Sequence, residues 1–467
     1  MFKRLLKNIS FGSLALLAVV LVMATVAEES FGWCFYSSPW FVALWGVMVV
    51  SALCYIFKTS VRRVGASLFL HLAFVAVLAG AFVTYLTGER GELFICKGAV
   101  PSSMFVKDDG ALATFPFRIT LRGCGADFSE EGGVPSDYFA ELSVILPGGG
   151  DEAARLSMNR VYDRDGYRFY LSSVNTDCAT LLVSHDLWGT SLTYLGYVLS
   201  VAGFLALFLS RGTQRAALVR YLQGKGAYFS YNLSKGVWVK FLGFALLFFV
   251  VITCLGVCRW MGTGVLPVTN GAEVMMFIAW CSFGVALCLR RRRNLVVAAC
   301  CLAVLCGVVS LCSGVTSPGA VQPVLRTPLL PLHVVTIVVS YVIIGLLAVN
   351  AFVALCAYCL KRDYERLEAT AVYGRVMLYL AVLFLVAGIF LGAVWANISW
   401  GRYWGWDPKE VWALVTLFVC SFGFHTRSLP FMARPLVFHI FCLVAFVVML
   451  FTYLGVNFLF EGLHSYA

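Results

Sequence analysis

Charge is what this sequence lacks most. Asp, Glu, Lys and Arg together make up 13% of its 467 residues, against 61% hydrophobic residues and a mean hydropathy of +0.86. A chain this long with so little charge cannot present a hydrated surface all round, which excludes an ordinary soluble domain. Histidine is scarcer still, with six in the chain, so any imidazole chemistry is confined to a few positions. The chain has no internal repeat, which argues against a secondary transporter built from inverted halves. Cysteine is not scarce, at seventeen, but most of it lies inside apolar runs (Cys300, Cys301, Cys306, Cys420, Cys442), where it behaves as a small apolar residue. Cys356-Ala-Tyr-Cys359 has redox spacing, yet no histidine follows it and it reads as part of a helix end.

What the chain does have is apolar length. A spanning helix needs about 20 mostly apolar residues, and eleven runs qualify, near residues 10–27, 40–57, 66–86, 187–209, 237–257, 272–289, 294–312, 334–359, 374–395, 411–426 and 435–457. With the N-terminus placed inside, twenty-one Lys and Arg residues fall in the inner segments, among them Arg211, Arg215, Arg220 and the run Arg290 to Arg293. The short outer loops and C-terminal tail hold four: Arg259, Arg326, Arg402 and Lys409. Basic loops resist translocation, so the expected topology is N-terminus cytoplasmic and C-terminus extracytoplasmic, with the first helix retained. The formal charge of +11 is thereby accounted for without nucleic acid.

Residues 87–186 interrupt the apolar runs and lie outside by the same count. They alternate in strand fashion at 115–121, 138–145 and 166–171, separated by Gly and Asp clusters, so they predict a small antiparallel β domain. It contains Cys96, Cys124 and Cys178; a disulfide there leaves one thiol over. The expected fold is a polytopic α-helical membrane protein of about eleven transmembrane helices with a small β-rich extracytoplasmic domain. It divides into an N-terminal module, 1–210, a basic cytoplasmic linker, 211–236, and a C-terminal module, 237–467.

The histidines fall at matched depths. His71 lies in the inner part of the third run and His425 ends the tenth at the same level, whereas His333 opens the eighth run from outside and His464 lies in the outer tail. Ionisable residues within spans are functional hypotheses by default, and neutral imidazole is a common axial ligand of haem iron. His439 enters the eleventh run without a partner and His185 precedes the fourth; packing and interfacial roles suffice for them. Between the ninth and tenth runs, residues 395–412 form a tryptophan-rich loop holding Trp395, Trp400, Trp404, Trp406 and Trp412. Aromatic belts place Trp at membrane interfaces, but a belt does not account for the interleaved Gly401, Gly405, Asp407, Pro408, Lys409 and Glu410. Indole faces packing on a flat apolar porphyrin, with Arg402 or Lys409 pairing a propionate, do.

At Trp400-Gly-Arg-Tyr-Trp-Gly-Trp-Asp-Pro-Lys-Glu410 the chain resembles the tryptophan-rich WWD signature of haem-handling proteins. Trp412-Ala413, His425-Thr-Arg427, Leu332-His-Val334 and Gly462-Leu-His-Ser-Tyr466 resemble the cytochrome c synthase branch called CcsA or ResC. Phe69-Leu-His-Leu-Ala-Phe74 and Gly166-Tyr-Arg-Phe-Tyr170 resemble its partner, CcsB or ResB, so nearly the whole chain looks like a natural fusion of the two System II proteins, with a short β domain. The resemblance implies that His71 and His425 receive haem b from the inner side, and that His333 and His464 hold it as axial ligands in the tryptophan loop. It further implies covalent attachment to the Cys-x-x-Cys-His segment of an apocytochrome c, a thiol-reducing thioredoxin-like partner, and a bacterial cytoplasmic membrane. A haem exporter without ligation activity and a dihaem b-type electron-transfer subunit are the competing readings. For the latter, His425 and His439 have the right spacing but Pro430 and Pro435 separate them.

Overall fold

The computed structural model describes residues 1–31, 35–59, 65–128, 135–210, 213–224, 235–288, 290, 293–312, 327–460 and 462. Three helices, α1 (Phe2–Phe31), α2 (Pro39–Lys58) and α3 (Gly65–Thr87), lead into eight strands. These are β1 (Glu89–Cys96), β2 (Ser102–Lys107), β3 (Leu112–Phe128), β4 (Pro135–Ile145), β5 (Asp151–Ser157), β6 (Tyr162–Arg164), β7 (Tyr167–Val174) and β8 (Cys178–His185). The chain then returns through α4 (Leu187–Leu209), α5 (Gln214–Gly224), α6 (Lys235–Thr263), α7 (Gly271–Cys288), α8 (Arg293–Cys312), α9 (Leu329–Lys361) and α10 (Tyr364–Trp400). It ends with α11 (Pro408–Phe422), α12 (Pro435–Leu450) and, after a π-helical turn at Phe451–Gly455, the single turn α13 (Val456–Leu459).

Each of the eleven apolar runs is helical. Among the described residues nine helices are long and apolar enough to cross a membrane, and the protein is a multi-pass membrane protein. The two that fall short are α8, of which Ala299–Cys312 is apolar, and α11, with 15 residues. At 1.5 Å per residue α11 is about 22 Å long, less than a hydrocarbon core of about 30 Å. The linker also differs from expectation. Its described part is not all loop but carries α5, which packs on α10.

The eight strands form one antiparallel sheet in the order β5-β4-β3-β2-β1-β8-β7-β6. Strict alternation builds it: Ala113, Phe115, Phe117, Ile119 and Leu121 of β3 point inward, to meet Leu142, Val144, Phe169 and Leu181. Cys96 and Cys178, partners across β1 and β8, form a disulfide, and Cys124 is the thiol left over.

Helices α3 and α4 connect this sheet to the bundle, and a seven-residue glycine spacing sets how closely they pack. Gly189, Gly196 and Gly203 of α4 lie against Thr84, Val77 and Leu70 of α3, which are themselves seven apart. A Cβ at Gly196 would lie 2.6 Å from the Val77 nitrogen, and one at Gly203 would lie 3.0 Å from the Leu70 Cα. Small residues at such positions are what let membrane helices approach backbone to backbone. Gly196→Leu is therefore expected to force α3 away from α4, at about 1–3 kcal/mol of overpacking, and to lower the melting temperature of the purified protein. An unchanged melting temperature would contradict this.

The two halves interlock. Helix α1 packs on α11, and Tyr197 of α4 stacks on Phe390 of α10 with ring centres 4.0 Å apart.

Candidate functional site

The turn between α10 and α11 lies at the β-domain end of the bundle. Helix α10 runs on through Ala396-Asn-Ile-Ser399 to Trp400, so Trp395 and Trp400 are helical and Trp412 belongs to α11. The loop proper is therefore Gly401–Asp407, shorter than the sequence suggests. Gly401 closes α10 at φ 74°, the left-handed geometry that glycine adopts at helix ends. A Cβ there would meet the Tyr170 ring of β7 at 2.7 Å, so the β domain seats directly on this turn. Ser399 Oγ also donates to Asn159 Oδ1 at 3.3 Å. Thr84 Oγ1 donates to the Asp186 carboxylate, which can only accept, and Tyr403 Oη donates in turn to Thr84 at 2.8 Å. The loop is thus fastened to α3 and to the start of α4.

The start of α11 is a capping box. Asp407 accepts from the Lys409 N–H at 3.0 Å, while Glu410 reaches back to the backbone N–H groups of Asp407 and Gly405. The Asp-Pro-Lys-Glu sequence encodes this cap. Asp407 is accordingly a loop-building residue, and Gly462 of the C-terminal segment lies against its carboxylate.

The tryptophans divide by role. Trp406, at φ 58°, stacks on Tyr36 with ring centres 4.6 Å apart and planes 2° from parallel, and meets Phe41 edge-on. It anchors the loop to the N-terminal module. Trp395 and Trp400 contact edge to face at 4.6 Å, and Trp412 packs on Phe451 at 4.1 Å. The indole nitrogens of Trp395, Trp404 and Trp412 are buried without a hydrogen-bond acceptor in the protein. An unmet buried donor costs about 1–3 kcal/mol; Trp404 lies in the turn, and Trp395 and Trp412 lie on the two helices that flank it. No ion pair among the described residues includes Arg402 or Lys409.

His333 of α9 lies flat on α10, where Gly392 leaves room: a Cβ there would come within 2.6 Å of the ring. Its Nδ1 is 2.7 Å from the Gly388 carbonyl oxygen. A carbonyl only accepts, so Nδ1 carries the proton and the lone pair sits on Nε2. Trp395 follows Gly392 by one turn. His464 lies outside the described residues.

At the opposite end, the His71 and His425 ring centres are 6.2 Å apart, at an interplanar angle of 80°. Each donates from Nδ1 to a carbonyl four residues back, Ser67 at 2.7 Å and Ser421 at 2.8 Å. Both therefore also carry the lone pair on Nε2, the nitrogen a metal takes when Nδ1 is so held. Two imidazoles trans on one metal, each about 2 Å from it, have ring centres about 6 Å apart. Phe11 of α1 meets the His425 ring edge-on at 5.1 Å. No cluster of three or more His, Cys, Asp or Glu exists among the described residues.

His439 follows the opposite rule. Its Nε2 donates to the Leu367 carbonyl at 3.0 Å within the core, and it belongs to α12 rather than to the helix before His425. This fits a packing role and removes the one-helix dihaem arrangement. Sequence reasoning missed Tyr36, Phe41 and Phe11, which bear on the site through long-range contacts that carry no local signal. The Asp407–Glu410 spacing was a legible cap.

Residues 268–464 match the model of the cytochrome c assembly protein family, and residues 54–193 match the ResB-like family. The CcsA cytochrome c biogenesis protein of Guillardia theta is 31% identical over 262 residues, covering 50% of this chain and 87% of that protein. The chain belongs to the CcsA family. Its ResB-like front half makes it a ResB–CcsA fusion of System II. CcsA of Chlamydomonas reinhardtii is 34% identical over 236 residues, covering 46% of this chain and 65% of that protein. Protein NrfI of Wolinella succinogenes is 39% identical over 150 residues, covering 31% of this chain and 17% of that protein. The chain thus spans less than two thirds of the length of these last two relatives. In this fusion, the tryptophan turn and His333 belong to the CcsA part, whereas the His71–His425 pair takes one histidine from each part.

Proposed function

We propose that this ResB–CcsA fusion is a cytochrome c synthase: it binds haem b between His71 and His425, transfers it to the tryptophan turn, and presents it there to apocytochrome c. The modules are 1–210 and 237–467, joined by the cytoplasmic segment 211–236. The tryptophan turn faces outward from a bacterial cytoplasmic membrane, with the N-terminus inside and the C-terminus outside. The single observation that carries this reading is the group of three acceptor-less indole N–H donors, Trp404 in the turn and Trp395 and Trp412 on the two helices that flank it.

His333 and His464 hold the iron at that face. The two thiols of a Cys-x-x-Cys-His segment add across the two vinyl groups; each forms a carbon–sulfur bond while its hydrogen passes to the neighbouring vinyl carbon, with no net oxidation. The incoming histidine displaces one outer ligand. A thioredoxin-like protein keeps the two thiols reduced. The protein's contribution is alignment of thiols with vinyls, together with exclusion of bulk oxidant by the indole-lined turn.

The Trp395→Phe, Trp404→Phe, Trp412→Phe triple variant keeps a smaller aromatic ring at each position and removes the three donors. It is expected to retain roughly tenfold less haem at the His333 site, at least one charge-assisted hydrogen bond being lost. Unaltered haem affinity would show that the indoles pack only on one another. Restored affinity in a variant lacking the β domain would instead favour an export role.

A further inference from the structure

The end of the bundle that carries His71 and His425 also holds the cation of Arg215. Arg215 opens α5, and its Nε is buried without a hydrogen-bond acceptor. Its guanidinium lies 4.8 Å over the Phe208 ring at the end of α4. The neighbouring Gln214 donates from Nε2 to Thr426 Oγ1 at 2.7 Å, and Thr426 directly follows His425. On the other flank Phe208 meets Tyr379 edge-on at 6.5 Å, and Tyr379 packs at 4.6 Å on Phe424, which directly precedes His425. Arg427 directly follows Thr426, the residue that Gln214 holds. Neither arginine forms an ion pair with a carboxylate among the described residues. Two positive charges, one with a buried and undirected N–H, thus flank the segment that carries His425.

A ring cation does not satisfy a guanidinium N–H: the aromatic face takes charge and leaves the planar donor fork without an acceptor. The group that matches the fork is a carboxylate or phosphate. A porphyrin held edgewise in the bundle must turn its two carboxylates away from hydrocarbon, toward the nearer rim, and α5 forms that rim. We propose that Arg215, with Arg427 two residues past His425, is a carboxylate-binding subsite for the propionates of the porphyrin gripped by His71 and His425. Helix α5 is then a wall of the haem site and not simply a tether between the modules. This rests on the reading of His71 and His425 as a haem-binding pair.

The test titrates purified full-length His333→Ala protein, in which the tryptophan-turn site is disabled, with haem and with haem dimethyl ester, whose carboxylates are blocked. Binding is read from the low-spin bis-imidazole absorption spectrum. The subsite predicts that haem binds about tenfold or more tightly than the diester. It predicts that Arg215→Gln with Arg427→Gln brings this ratio near one by weakening haem and leaving the diester unchanged, and that Arg215→Lys with Arg427→Lys keeps part of the preference. A ratio near one in the parent protein overturns the subsite while the His71–His425 reading stands, and leaves these arginines to lipid phosphate. A preference that survives the glutamine variant also overturns it. If the bis-imidazole spectrum persists when His71 and His425 are both replaced by Ala, the pair is not the site and the subsite falls with it.

Discussion

His333→Ala is expected to reduce covalent haem on a co-expressed apocytochrome c to below about a tenth of the wild-type level, since even the outer-shell partners of metal ligands contribute about 10–100-fold. The loss should come without loss of the membrane fold. The imidazole ring rests on the side-chain-free backbone of α10 at Gly388 and Gly392 and is not part of the core cluster, so its removal leaves a gap no larger than the ring. Because the carbonyl of Gly388 fixes the Nδ1-protonated tautomer, the ring delivers a lone pair in one direction only. Free imidazole diffusing into the gap can supply the same lone pair, and millimolar imidazole should restore part of the yield. His464→Ala should behave in the same way if it supplies the second ligand. A double variant with full ligation activity would rule out axial ligation by this pair.

His71→Ala and His425→Ala are expected to act earlier. Each should deplete haem at the tryptophan turn about tenfold while leaving that site intact, so haem supplied directly to purified protein should still bind there. Two properties support this separation. The His71 and His425 rings lie at the end of α3 and α11 away from the β domain, and one comes from each family module. A haem that bridges them therefore also staples the modules together. Unchanged occupancy of the turn in His71→Ala cells would mean that haem reaches the turn by another route.

The sequence shows some of this directly and hides the rest for physical reasons. Hydropathy locates the helices within the eleven apolar runs but not α5 in the linker, because burial in lipid is a local property of composition. Strand alternation identifies β3, β4 and β7 but understates the domain, since β2, β5 and β6 are short. The depth match of His71 and His425 follows from helix position alone, and the rings do lie 6.2 Å apart. Trp406 is different. Nothing near it in the chain announces that it stacks on Tyr36, about 370 residues earlier. The extent of α10 was also concealed, because Asn397, Ile398 and Ser399 are indifferent helix formers and only Gly401 ends it. The glycine spacing at 189, 196 and 203 is visible in the chain, whereas its partner spacing at 84, 77 and 70 becomes meaningful only once α3 and α4 are seen antiparallel.

The most direct measurement is co-expression of the full chain with an apocytochrome c bearing one Cys-x-x-Cys-His segment, in a bacterium stripped of its own cytochrome c maturation proteins. Haem that stays on the cytochrome through denaturing electrophoresis, and that is absent when the segment's cysteines are replaced by serine, is the predicted result. Haem bound to the membrane protein with none covalently on the cytochrome would contradict the synthase reading and leave a haem carrier in its place.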